Sequence, residues 1–92
     1  MTDNFGDNEE RNRFELDVGG TVAFVTYRKS ADTITLLHTE VPPELGGKGI
    51  GSKLARATLD AVRAQGRKLI VECDFIRSFM RKHPEYNDLL AA

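Results

Sequence analysis

Four of the chain's eight glycines fall within six residues, in Gly46-Gly47-Lys48-Gly49-Ile50-Gly51. Glycine lets a main chain turn tightly and pass close to a ligand. Where such a run opens a helix, the first amides lack partners and face the positive end of the helix dipole. The chemistry suited to that arrangement is phosphate binding. Helix capping alone would need a single glycine. Three other groups could do acid, base or nucleophilic work: His38, Glu40 and the only cysteine, Cys73. A carboxylate or an imidazole can act as a general base. A thiolate can act as a nucleophile.

The glycine spacing excludes two common phosphate motifs. Counted from Gly46, Ser52 stands where a P-loop needs lysine; counted from Gly47, Ser52 stands where it needs glycine. A dinucleotide-binding G-x-G-x-x-G read from Gly47 also fails, because its third glycine falls on Ser52.

The elements that must position these groups follow from the hydrophobic pattern. Phe14, Leu16 and Val18 alternate with Glu15 and Asp17, which predicts a half-buried strand. Gly19-Gly20 predicts a tight hairpin turn. Val22–Tyr27 carries apolar residues at both parities, as in a central strand covered on both faces. A turn at residues 30–32 leads to a β-branched third strand, Thr33 to Val41. Pro42-Pro43 ends it, since neither donates a backbone hydrogen bond. Ser52 to Gln65 reads as a helix with Leu54, Ala55, Thr58, Leu59 and Val62 on one stripe, ended by Gly66. Lys68–Cys73 reads as a fourth strand. Asp74 reads as the N-cap of a short helix that turns Phe75, Ile76, Phe79 and Met80 inward and stops before Pro84. Third strand, helix and fourth strand form a β-α-β crossover, so those two strands are parallel. Their carboxyl ends lie at one edge of the sheet. His38, Glu40 and Cys73 converge there by topology, with His38 sharing the parity of Ile34, Leu36 and Glu40.

The glycine run between a strand and a helix resembles the motif Gln/Arg-x-x-Gly-x-Gly/Ala of the GNAT superfamily of N-acetyltransferases. Residues 38–54, HTEVPPELGGKGIGSKL, and residues 73–86, CDFIRSFMRKHPEY, resemble a minimal subfamily of these enzymes that lacks the usual N-terminal helices. The likeness covers roughly residues 14–90. Its departure is Gly46, where the superfamily has Arg or Gln. The resemblance implies an α+β fold of three-layer GNAT type: a mixed sheet with an antiparallel meander, then a β-α-β unit and a short C-terminal helix. It implies acetyl-CoA as acyl donor, its diphosphate on the amides of Gly47, Gly49 and Gly51. Gly46, Lys48, Ile50 and Ser52 stand beside them, and the pantetheine arm runs along Thr39–Val41. It implies an amine acceptor and makes Glu40, His38 and Cys73 the candidate catalytic residues. The subfamily also has cysteine at the place of Cys73, which makes an acetyl-cysteine route conceivable. Tyr86 stands near where a tyrosine protonates the leaving thiolate in larger relatives. Arg77, Arg81 and Lys82 are candidates for the 3′-phosphate of the cofactor.

Composition bounds the rest. Ninety-two residues, 40% hydrophobic and 29% charged, make one globular domain. The acidic, polar start predicts a disordered leader over 1–12 and a domain over 13–92. No apolar run reaches the ~20 residues of a membrane span. One cysteine excludes an internal disulfide and a multi-cysteine zinc site, and without a secretory signal it fits a reducing cytoplasm. Residues 46–82 hold nine basic side chains against three acidic ones, a segment suited to an anionic ligand. Nucleic acid is not the expected partner, because exposed aromatics interleaved with the basic residues are missing. The alternative to an enzyme is a non-catalytic module that binds or senses acyl-CoA.

Overall fold

The structure is a computed structural model that describes residues 4–47 and 49–91. Five strands form one sheet in the order β1-β2-β3-β4-β5. They are β1 (Asn4–Asn8), β2 (Arg13–Val18), β3 (Thr21–Lys29), β4 (Thr33–Glu40) and β5 (Lys68–Val71). The first four pair antiparallel. β4 and β5 pair parallel across helix α1 (Ile50–Gln65). Helix α2 (Asp74–Lys82) and a 3₁₀ turn, Pro84–Leu89, complete the chain. The meander, the crossover and the α+β class are those read from the sequence. Gly19 and Gly20 make the β2–β3 turn with φ of 62° and 95°, a left-handed pair that other residues rarely adopt.

Two features differ. The disordered leader is corrected over its described part: Asn4–Asn8 is a strand paired to β2. Phe5 stacks on the buried Phe14 at 5.9 Å, and Asp7 accepts hydrogen bonds from Tyr27, Lys29 and Gln65. Acidity at this end is therefore neutralised by partners distant in sequence, and composition alone could not show them. The layers also number two, not three. Register places Phe14, Leu16, Ala23, Val25, Tyr27, Ile34, Leu36 and Leu69 on one face, all buried. Both helices pack on that face: α1 against β2, β3 and β5, α2 against β4 and β5, and the two against each other. The stripe expected on α1 is buried there in full. On the opposite face Val22, Phe24 and Thr26 are only half-buried, so β3 is covered on one face rather than two. The Arg13 guanidinium lies 4.2 Å over the Phe24 ring and shields it there.

Burial of about twenty apolar side chains in one cluster holds this sheet and helix layer together. One polar atom is out of place in it. The Thr58 hydroxyl on α1 is fully buried and has no hydrogen-bond partner among the described residues.

Candidate functional site

Between β4 and α1 the chain makes a 3₁₀ turn at Pro43–Leu45, anchored by the buried Leu45. The Gly46 amide donates to the Pro43 carbonyl at 3.0 Å, so Gly46 shapes the turn but offers no free N–H. Gly47 and Gly49 have φ of 76° and 71°. A Cβ at either would meet nothing within 4 Å, so glycine is required there by backbone conformation and not by crowding. Gly49 is the N-cap of α1, with no side-chain cap and no acidic residue in the first turn. The first intrahelical bond runs from the Lys53 amide to the Gly49 carbonyl at 3.1 Å. Among the described residues, the amides of Ile50, Gly51 and Ser52 thus lack helical acceptors at the positive end of a 16-residue helix. A cavity of about 250 Å³ opens over them, between Val41 and Leu45 on one side and Ser52 and Phe75 on the other. This donor set, with open space beside both left-handed glycines, fits a diphosphate. Lys48 lies outside the described residues.

Gly51 has a different reason to be glycine. A Cβ there would lie 2.6 Å from Cζ of Phe75. Phe75 is not inward-facing as expected; its side chain stands over the start of α1, and the residue is 42% exposed. The N-cap of α2 is Cys73 and not Asp74. Asp74 is the first helical residue and pairs with Arg77 at 2.7 Å, while Arg77 also donates to the Val71 carbonyl at 2.9 Å.

Of the three catalytic candidates, His38 and Cys73 border one cleft but not one face, and Glu40 lies outside its lining. Thr26 pairs with His38, yet Tyr27 pairs with Leu36, so Leu37 is an extra residue in β4. This bulge reverses the parity assumed from sequence. Ile34, Leu36 and Thr39 face the helices with Lys29, Tyr27 and Val25; His38 and Glu40 face the open side with Thr26 and Phe24. The signal was present in the sequence: the apolar phase runs 34, 36, then breaks at 37 and resumes at 41. His38 and Glu40 hold each other by a 3.0 Å bond from Nε2 to Oε1, both largely exposed. Cys73 is buried on the helix side, its Sγ 2.9 Å from the Thr39 hydroxyl.

β4 and β5 part just where these groups sit. The last backbone bond between them is from the Glu72 amide to the Leu36 carbonyl, 2.9 Å. Beyond it lies a cleft of about 350 Å³, bordered by His38 on one side and Thr39, Cys73 and Phe75 on the other. Tyr86 is elsewhere. It is buried, donates to Asp60 Oδ1 at 2.8 Å and so is tied to the middle of α1. Burial, then the Asp60 carboxylate, holds its phenol above the usual value. Arg81 and Lys82 are exposed on α2, and Lys82 lines a smaller hollow next to Ser52 and Phe75.

The site is thus a glycine turn feeding a helix N-terminus beside two parallel strands that part, in an α+β domain. A profile of the GCN5-related N-acetyltransferase family matches residues 13–89. A GCN5-like protein from Staphylococcus aureus, solved by NMR, is similar at a TM-score of 0.70 and 32% identity, over 97% of this chain and 88% of that one. Protein NATD1 of Danio rerio is 31% identical over 84 residues, 86% of this chain and 76% of that protein. Protein NATD1 of Xenopus tropicalis is 36% identical over 52 residues, 56% of this chain and 48% of its own. The alignments with the frog and human proteins span about half the length of those relatives. The chain belongs to the GCN5-related N-acetyltransferase family, whose members generally use acetyl-CoA.

Proposed function

We propose that the chain binds acetyl-CoA at the start of α1 and transfers its acetyl group to an amine. The observation that carries this reading is the left-handed Gly47 and Gly49 pair, which aims an uncapped helix terminus at a cavity next to the parting of β4 and β5. The diphosphate rests on the amides of Ile50, Gly51 and Ser52, and the thioester reaches the cleft at Cys73 and His38. In direct transfer, the amine nitrogen bonds to the thioester carbon, the carbon–sulfur bond breaks to release CoA as its thiolate, and the hydrogen-bonded His38–Glu40 pair takes the proton released by nitrogen. In the covalent route, Cys73 Sγ bonds to that carbon and the CoA thiol leaves with the cysteine's proton. An amine then takes the acetyl group and returns a proton to the sulfur. Thr39 at 2.9 Å from Sγ supports the second route by orienting the thiol. The acceptor is an amine on a small molecule, peptide or protein, and the reducing cytoplasm suits the single thiol.

The uncovered sheet face favours a second reading, a module that binds acyl-CoA without turnover, because no helix layer encloses an acceptor there. Calorimetric titration with acetyl-CoA, followed by thiol release with a panel of amines, separates the readings. Saturable binding with thiol release is expected; binding without release from any amine selects the module, and no binding removes both. Full turnover in Cys73→Ala would eliminate the covalent route.

A further inference from the structure

We infer that Phe75 is the contact surface for the arm of the thioester carrier, and that Gly51 is glycine to seat this ring and not to approach a phosphate. The inference rests on the carrier-binding reading above. Phe75 is the one large apolar side chain of α2 left in solvent, whereas Ile76, Phe79 and Met80 of the same helix are buried. Its ring stands tip-on against Gly51: a Cβ there would meet Cζ at 2.6 Å and the two Cε atoms at 3.3 and 3.4 Å. The cavity over the glycine turn and the cleft at the β4–β5 parting are both lined by Phe75. A linear ligand with its diphosphate in the first and its thioester in the second therefore crosses this ring. The arm of coenzyme A, a chain of methylene, gem-dimethyl and amide groups, is the chemistry an exposed aromatic face can cover. The glycines of the run thus divide by task. Gly47 and Gly49 set the backbone, and Gly51 makes room for a wall.

The assignment makes a directional prediction for two ligands that differ only by the arm. Calorimetry with coenzyme A and with ADP carrying the 3′-phosphate reads it directly. Phe75→Ala weakens coenzyme A by about tenfold and leaves the armless nucleotide within about twofold. Phe75→Leu retains most of the coenzyme A affinity, because apolar bulk remains. Gly51→Ala displaces the ring and imitates Phe75→Ala, and the double variant is no weaker than Phe75→Ala alone. Equal losses for both ligands, unchanged coenzyme A affinity in Phe75→Ala, or a Gly51→Ala loss that adds to that of Phe75→Ala would each overturn it. If the unmodified chain binds neither ligand, the carrier-binding reading falls and this assignment with it.

Discussion

At the Gln65 end of α1, the Asp7 carboxylate takes hydrogen bonds from Tyr27, from Lys29 at 2.7 Å and from Gln65 at 3.1 Å. At the Ile50 end, about 24 Å away along a helix of 16 residues, the first three amides have no helical acceptor. The same division runs through the sheet. β3 ends and β4 begins beside the Asp7 network, and β4 and β5 separate at the other end. One end ties its charged and polar groups to one another. The other holds helix-start amides without a side-chain cap, an exposed ring and a gap between strands, which a ligand can fill. A small domain keeps its order by tying one end down so that the other can stay unsatisfied.

Breaking the tied end should have the largest effect and should leave binding alone. Asp7→Ala strands the Tyr27, Lys29 and Gln65 donors and is expected to cost about 2 kcal/mol in urea unfolding. Acetyl-CoA affinity should not change; a parallel loss of affinity would mean the two ends are not independent. Gly49→Ala attacks the open end. It forces a side chain into the left-handed region, costing about 1 kcal/mol of stability. It also re-aims the helix amides, so acetyl-CoA binding should fall by roughly tenfold, measured by calorimetry. Thr58→Val tests the layer between the ends. Removing a buried hydroxyl without a partner should raise stability by about 1 kcal/mol, read as a higher melting temperature with unchanged affinity.

The smallest effect is in pH dependence. Burial pushes the Asp7 carboxyl up, but hydrogen bonds from Lys29 and Tyr27 outweigh it and leave its pKa below the ordinary value. A carboxyl lowered by folding stabilises the fold above about pH 4 and loses that contribution as pH falls through the folded value. Tyr27 is pushed up to about 12, by burial first and then by Asp7, so its share is present below about pH 10 and lost as pH climbs through 12. Melting temperature against pH should therefore decline at both extremes. Asp7→Asn should flatten the acid side.

Local pattern made much of this legible. The alternation in β2, the paired glycines at 19 and 20, the apolar stripe of α1 and the glycine cluster each act within a few residues. What escaped depends on contacts made at a distance. Asp7 reads as part of a charged tail because its partners are 20 and 58 residues away. Phe75 reads as core because its spacing matches Ile76, Phe79 and Met80, and only the approach of Gly51 shows that it stands outside. Parity alone puts His38 with Ile34 and Leu36, and one extra residue in β4 is invisible to a period of two, although the broken apolar phase at Leu37 hints at it.

That extra residue has a consequence for how the strand evolves. In a chain one residue shorter between Leu36 and His38, the imidazole and carboxylate would rotate into the oily interior and Thr39 would swing away from the sulfur. Length at this spot is therefore fixed more strictly than residue type: a swap at 37 leaves the geometry standing, whereas a single codon lost would turn the strand inside out.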